Sequence, residues 1–288
     1  MKKLLLLAFI LLAFVASSYA QFTFTSIECP GGGATTARGI NNHGEIVGSW
    51  EGLATLFKAG KCIPLAPTTV LGTNPSDASR INDRGDVVGY FYGDDGFKHG
   101  FLLRNGVLTT LDFPGASQTW AMGINESGTV SGLFDLFDSD GNFLAEHGFI
   151  WKDGSFSQVD FPGSATTAVS GINARGDFVG GWAYDVGPLH GYVFSKGQFI
   201  SFDVPVAGST ATQPTDINVL GHIIGRYDDA DGVTHGFLEV GAAFTSFDFP
   251  GDEFTSAWGI NTTGQIVGNH SVYTGGPTRG YLAQPSKK

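Results

Sequence analysis

One ten-residue string, recurring six times at a nearly fixed interval, limits what this chain can fold into more than any other feature. The copies are GINNHGEIVG from Gly39, RINDRGDVVG from Arg80, GINESGTVSG from Gly123, GINARGDFVG from Gly171, DINVLGHIIG from Asp216 and GINTTGQIVG from Gly259. Their asparagines, Asn41, Asn82, Asn125, Asn173, Asn218 and Asn261, lie 41, 43, 48, 45 and 43 residues apart. A unit of about 44 residues without helical periodicity matches one four-stranded blade of a propeller. The expected fold is therefore all-β: a six-bladed β-propeller of four-stranded blades.

Each unit reads as four short strands. The first ends at Ile-Asn and the second is the run around Ile-Val-Gly. The third begins at a His-Gly-Phe triplet, and the fourth ends in Asp-Phe-Pro-Gly, as in the stretch HGFLLRNGVLTTLDFPG from His99. Asn at the start of Asn-x-x-Gly can bond backbone two residues on, and the Gly can take positive φ. Pro114, Pro162, Pro205 and Pro250 stop the fourth strand, because proline cannot donate to a ladder. The N-terminal stretch Ile27-Glu28-Cys29-Pro30-Gly31 has fourth-strand character, and the last unit stops after its third strand at Gly280-Tyr281-Leu282. The N-terminal strand is thus expected to complete the C-terminal blade and close the ring, removing exposed sheet edges.

These strings resemble the HAF repeat of exported bacterial proteins, named for its His-Ala-Phe or His-Gly-Phe triplet, from about residue 22 to 283. The first unit departs from the pattern, with Ala54-Thr55-Leu56 assigned to the triplet, and the last has Arg279-Gly280-Tyr281. The resemblance implies secretion and a repeat architecture, and no activity.

Residues 1–20 read as a Sec signal peptide: Lys2 and Lys3, an apolar run from Leu4 to Val15, and Ser18-Tyr19-Ala20 before a cleavage point ahead of Gln21. Residues 21–288 then form one domain, extracellular or periplasmic, with no stretch long enough to insert in a membrane. The chain's 16 basic and 27 acidic side chains give a net charge of −11, or −13 without Lys2 and Lys3. Such a surface repels phosphate backbones, so no nucleic-acid partner is expected. Cys29 and Cys62 have one pairing available, but the repeat alignment places them late and early in equivalent strands, which argues against contact.

Recurrence weakens most chemical readings. His99, His147, His190 and His235 occupy one repeat position in four different units, and so do Asp112, Asp160, Asp203 and Asp248. The histidines are expected to bond neighbouring turns, and the aspartates to cap strand ends. A catalytic pair would need two carboxylates in one pocket. The loops DSDGN from Asp138 and DDADG from Asp228 alternate oxygen ligands, but neither completes a calcium loop. They read as solvated turns, with weak calcium binding as the alternative and no cofactor otherwise expected. The longer third unit also places Phe134, Leu136 and Phe137 in a candidate contact loop.

Function should lie where the repeat is broken. Three residues before the asparagines stand Arg38, Ser79, Met122, Ser170, Thr215 and Trp258, and Arg80 and Asp216 replace the usual glycine. If the first strand is innermost, these border a central channel. Arg38, Arg80, Trp120 and Trp258 are then candidate binding residues for a sugar or peptide. The expectation is a secreted, noncatalytic, monomeric binding or scaffold module for extracellular carbohydrate or protein, with no catalytic residue assigned. The alternative, by analogy with other propellers, is a hydrolase or lyase of the lactonase or polysaccharide lyase type with its site at the channel.

Overall fold

The computed structural model describes residues 22–65, 74–184 and 187–286. The expected signal peptide lies outside the described residues. The described residues contain strands and turns and no helix. β1 (Phe22–Ile27) comes first in the chain, and its pairing partner comes last. β2 (Thr35–Ile40), β3 (Ile46–Trp50), β4 (Leu53–Lys58) and β5 (Lys61–Pro64) form an antiparallel meander, and β6 (Ser76–Ile81), β7 (Val87–Tyr92), β8 (Lys98–Arg104) and β9 (Val107–Leu111) form the next. Two further meanders are β10 (Gln118–Ile124), β11 (Val130–Phe137), β12 (Phe143–Lys152) and β13 (Ser155–Val159), then β14 (Thr166–Ile172), β15 (Phe178–Ala183), β16 (His190–Ser195) and β17 (Gln198–Phe202). A single parallel residue pair, Glu146 opposite Thr166, joins these two into one eight-stranded sheet. β18 (Ala211–Ile217), β19 (Ile223–Asp228), β20 (Thr234–Val240) and β21 (Ala243–Phe247) follow, and β22 (Phe254–Ile260), β23 (Ile266–Ser271) and β24 (Arg279–Pro285) end the order. β1 is the fourth strand of this last sheet, antiparallel to β24 from Phe22 opposite Pro285 to Ile27 opposite Gly280. The arrangement is a β-propeller with four-stranded blades.

The apolar core lies between successive sheets. Val88, Leu102 and Leu111 of one pack with Ala121, Ile124, Phe134 and Phe149 of the next. Ala37, Ile40 and Phe57 near the N-terminus meet Val267 and Leu282 near the C-terminus. The repeat strings acquire roles here. The glycine of Ile-Val-Gly lies opposite the aromatic of the third strand: Gly132 faces Phe149, Gly180 faces Tyr192 and Gly225 faces Phe237. A Cβ on Gly132 would sit 2.0 Å from the Trp120 carbonyl oxygen, so only glycine lets the inner strand and the ring close on it. The Phe before three of the four prolines instead crosses to the following unit: Phe113 stacks on Phe134 at 3.8 Å, Phe161 on Trp182 at 4.3 Å and Phe249 on His270 at 3.6 Å.

The same register corrects the first unit. Gly48 pairs with Thr55 as Gly89 pairs with Phe101, so its triplet is Leu53-Ala54-Thr55, one residue earlier than expected.

Each buried asparagine serves two sheets. Asn173 Oδ1 accepts from the backbone N–H of Arg175 at 2.9 Å and Asp177 at 3.0 Å, closing its own turn. Its Nδ2 donates to the carbonyl of Asn218 in the following unit at 3.2 Å. The same bond runs from Asn41 to Asn82, Asn82 to Asn125, Asn125 to Asn173, Asn218 to Asn261 and finally Asn261 to Asn41.

Cys29 and Cys62 form a disulfide with Cα atoms 5.8 Å apart, contrary to the expectation from repeat positions. Late and early positions cannot meet within one sheet, but Cys29 follows the last strand of one sheet and Cys62 lies in the outer strand of another. Cys29 lies in the link that carries the chain from β1 across to β2, beside β5, which holds Cys62.

Asn173→Ala removes the turn closure and leaves the Asn218 carbonyl short of its donor, and should lower unfolding free energy by about 2–4 kcal/mol in urea denaturation. Reduction of the disulfide, which closes a 33-residue separation, should destabilise the chain by about 3–4 kcal/mol, read as a fall in Tm with reductant.

Candidate functional site

In every innermost strand the ladder slips by one residue just before the glycine or its substitute. In β2, Ala37 pairs with Gly48 and Gly39 with Val47, which leaves Arg38 unpaired. The same bulge isolates Ser79, Met122, Ser170, Thr215 and Trp258. A bulge re-aims the extra side chain. Five of the six, all but Ser170, line a single cavity of ≈ 190 Å³ together with Tyr90, Trp120, Leu133, Glu146 and Arg80. A second cavity of ≈ 160 Å³ lies among the Asn-x-x-Gly turns. Of the residues expected to border a channel, Arg38, Ser79, Arg80, Met122, Thr215 and Trp258 thus meet at one cavity mouth, whereas Ser170 and Asp216 do not line it.

Arg80 lines both cavities and stands between them. It is 6% exposed and donates through Nη1 to the carbonyls of Arg38 and Trp258 and through Nη2 to that of Thr215. Asp216, the other glycine substitute, places Oδ1 3.7 Å from Arg80 Nη2 and accepts from the N–H of Ile217 and Ile260. Burial pushes the Asp216 carboxyl up and the Arg80 guanidinium down, and the attraction between them opposes both shifts. Arg80 was expected to face ligand beside the tryptophans. Its terminal nitrogens are instead taken up by backbone carbonyls, because three inner strands converge there with no other donor for them.

The other candidates are accessible. Arg38 Cζ lies 4.1 Å from the centroid of the Trp258 ring, and Arg226 Cζ lies 5.5 Å from it. Arg38 Nε is held by Asp77 Oδ2 at 3.1 Å. Trp120 receives Lys98 Nζ at 4.1 Å, and the same ammonium lies 5.2 Å and 5.3 Å from Tyr90 and Tyr92. Burial, with Asp77 nearby, pushes the Tyr90 phenol up to about 12, so it stays a hydrogen-bond donor.

Glu146 lines the same cavity and has a strongly altered acidity. Burial and the carboxylate of Asp135, directly opposite on β11, raise it to about 7. Asp135 is itself raised by burial, accepts from Gln118 Nε2 at 2.8 Å on one oxygen, and has no partner on the other.

Sequence reasoning missed Tyr90, Lys98, Glu146 and Arg226. A signal existed, since Tyr90 and Arg226 each follow the Ile-Val-Gly glycine and Lys98 and Glu146 each precede the triplet histidine. Those positions vary between units, but their approach to the channel depends on strand twist.

Away from the channel, the recurrent histidines and aspartates find one another. His99, His147, His190 and His235 place Nδ1 3.0, 2.8, 3.0 and 2.9 Å from Asp112, Asp160, Asp203 and Asp248 of the same sheet. Each imidazole also packs on an aromatic of the second strand, as His99 does on Phe91 and His190 on Trp182. The expected strand-end caps are therefore interstrand His–Asp latches. In the two acidic hairpins, Asp138 and Asp229 each accept two backbone N–H groups of their own turn. No group of three or more His, Cys, Asp and Glu side chains among the described residues is arranged to hold a metal ion. The proposed contact loop also differs: Phe134 is buried against Phe113, and the exposed apolar residues there are Phe143 and Leu144.

Neither a family model nor a curated protein matches the sequence. Among solved structures, the chain is similar to a putative TolB from Agrobacterium tumefaciens, with 13% identity and TM-score 0.57 over 88% of this chain and 91% of that one. It is also similar to a gluconolactonase of Xanthomonas campestris, with 13% identity and TM-score 0.51 over 92% and 90% of the two chains. Trypanosoma rangeli sialidase matches with 8% identity and TM-score 0.52 over 87% of this chain and 54% of that one. At these identities the likeness concerns the fold. No helix among the described residues is long and apolar enough to cross a membrane.

The altered acidity of Glu146 has a measurable consequence. Its pKa is 4.5 in an unfolded chain and about 7 in the folded one, so the folded state binds more protons between these values and loses stability as pH rises through them. Glu146→Gln should match the parent near pH 4 and exceed it by about 3 kcal/mol above pH 8, measured as Tm against pH.

Proposed function

We propose that this chain is an exported, noncatalytic member of the HAF-repeat proteins that binds glycan at the channel mouth. The signal peptide read in residues 1–20 and the Cys29–Cys62 disulfide support export to an oxidising compartment. The eight-stranded sheet is two blades touching at one residue pair, which makes six, and the ring is closed. Support for closure comes from the asparagine bonds that run from unit to unit and return from Asn261 to Asn41, and from β1 completing the last sheet.

The observation that carries the binding reading is the composition of the mouth. Trp120 and Trp258 line one cavity together with Tyr90 and Ser79. Flat aromatic faces beside fixed polar groups suit the apolar face and hydroxyl rim of a pyranose. Glu146 beside Asp135 favours a second reading, a hydrolase or lyase at the same mouth. A carboxyl titrating near neutrality next to another is the arrangement that acid–base chemistry uses.

A thermal-shift screen of the mature protein against soluble glycans separates these readings. At about 100 times Kd a ligand adds roughly 2.7 kcal/mol, a rise of about 5–10 °C for a chain of this size. Trp258→Ala should weaken binding of the responding glycan at least about tenfold. Turnover of that glycan, abolished by Glu146→Gln, would replace the binding reading with the enzymatic one. A flat screen would remove both.

A further inference from the structure

The mouth has a feature that a neutral sugar does not require. Arg38 and Arg226 flank the Trp258 ring, and each is tied back through its Nε, Arg38 by Asp77 and Arg226 by Gln213 Oε1 at 2.7 Å. Among the described residues, no protein acceptor meets the terminal nitrogens of either guanidinium. Those nitrogens are also absent from the buried atoms that lack a partner, which include Arg80 Nε and Arg104 Nη2, so they face solvent. Fixing Nε and freeing the terminal pair orients a guanidinium as a fork for an incoming planar acceptor.

The local field points the same way. Burial lowers the basicity of Arg226, Asp228 opposes that shift, and the Arg38 charge adds to it. Arg80, with an unpartnered and buried Nε, also feels the Arg38 charge. Arg80, which lines the cavity with Arg38, and Arg226, beside the Trp258 ring, therefore both feel the Arg38 charge, in a chain whose net charge is −11. Like charges gathered in this way are eased by an anion between them.

We propose that the ligand of this mouth is an acidic sugar, a uronate-bearing glycan whose carboxylate is received by the terminal nitrogens of Arg38 and Arg226 beside Trp258. This inference rests on the glycan-binding reading above and specifies its ligand. A single carboxylate on an otherwise neutral pyranose fits better than a densely charged polyanion. The acidic chain as a whole repels the latter, and Glu146 in the lining of the same cavity adds a further negative charge once ionised. The Trp258 ring holds the Arg38 guanidinium in place, and the forked donors select the acid group of the sugar.

The test compares oligogalacturonate, glucuronate-containing and mannuronate oligomers with their methyl esters, which keep the ring and lose the charge. Affinity is read by calorimetry and by tryptophan fluorescence. The acid form of at least one oligomer should bind about thirtyfold tighter than its ester. Arg38→Gln and Arg226→Gln should each reduce that affinity at least about tenfold while leaving the ester within twofold. Because Arg38→Gln strands the buried Asp77 carboxylate, the double variant Arg38→Gln/Asp77→Asn serves as a folded control and should show the same loss at unchanged Tm. Equal binding of acid and ester, or binding confined to neutral glycans, overturns the carboxylate inference and leaves the glycan site standing. Sulfated oligosaccharides binding as tightly as uronates overturn it in favour of a general anion site. Failure of every glycan, neutral or acidic, removes the glycan reading and this inference together.

Discussion

The structure depends on one side chain used six times. The amide of each Asn-x-x-Gly asparagine closes its own turn with its oxygen and holds the next unit's carbonyl with its nitrogen. No other neutral side chain of this size offers both an acceptor and two donors. Aspartate would close the turn and lose the donor, and serine would reach neither neighbour. The bond joins elements 41–48 residues apart in sequence, and the last of them spans from Asn261 back to Asn41. Local turn geometry and long-range assembly are therefore satisfied by one buried group, which ties the register of each sheet to that of its neighbour.

The bulge one turn earlier divides structural from variable positions. Glycines at 39, 123, 171 and 259 allow inner strands to approach almost backbone to backbone; a Cβ on Gly171 would lie 2.7 Å from Asp216 Cα. The bulged residue beside each of them has no ladder partner, which leaves its identity free of the register. Where the glycine is replaced, by Arg80 and Asp216, the two side chains meet, and Arg80 separates the two cavities. The pair lies buried among carbonyls and backbone N–H groups that it satisfies, which offsets the desolvation that would otherwise disfavour it.

At the periphery, the His–Asp latches join the third and fourth strands of four units. The aspartates remain exposed, so each latch contributes modestly. The first and last sheets lack it, and the Cys29–Cys62 bridge ties those two together instead.

Much of this was legible in the order of residues. The period, the strand signals and the turn chemistry are local properties, so they fixed the blade, its four strands and the role of β1 without reference to space. Arg38, Trp120 and Trp258 could also be singled out, because a residue that departs from a repeat is visible against it. What tertiary structure alone decided is which departures meet. Tyr90, Lys98, Glu146 and Arg226 come from second and third strands, and strand twist carries them to the mouth. Arg80 became part of the wall because three inner carbonyls surround it. The two cysteines bond because the chain crosses between sheets where repeat positions give no distance. Periodicity in sequence encodes the unit, whereas contacts between units depend on how neighbouring blades pack against one another, and no single unit contains that information.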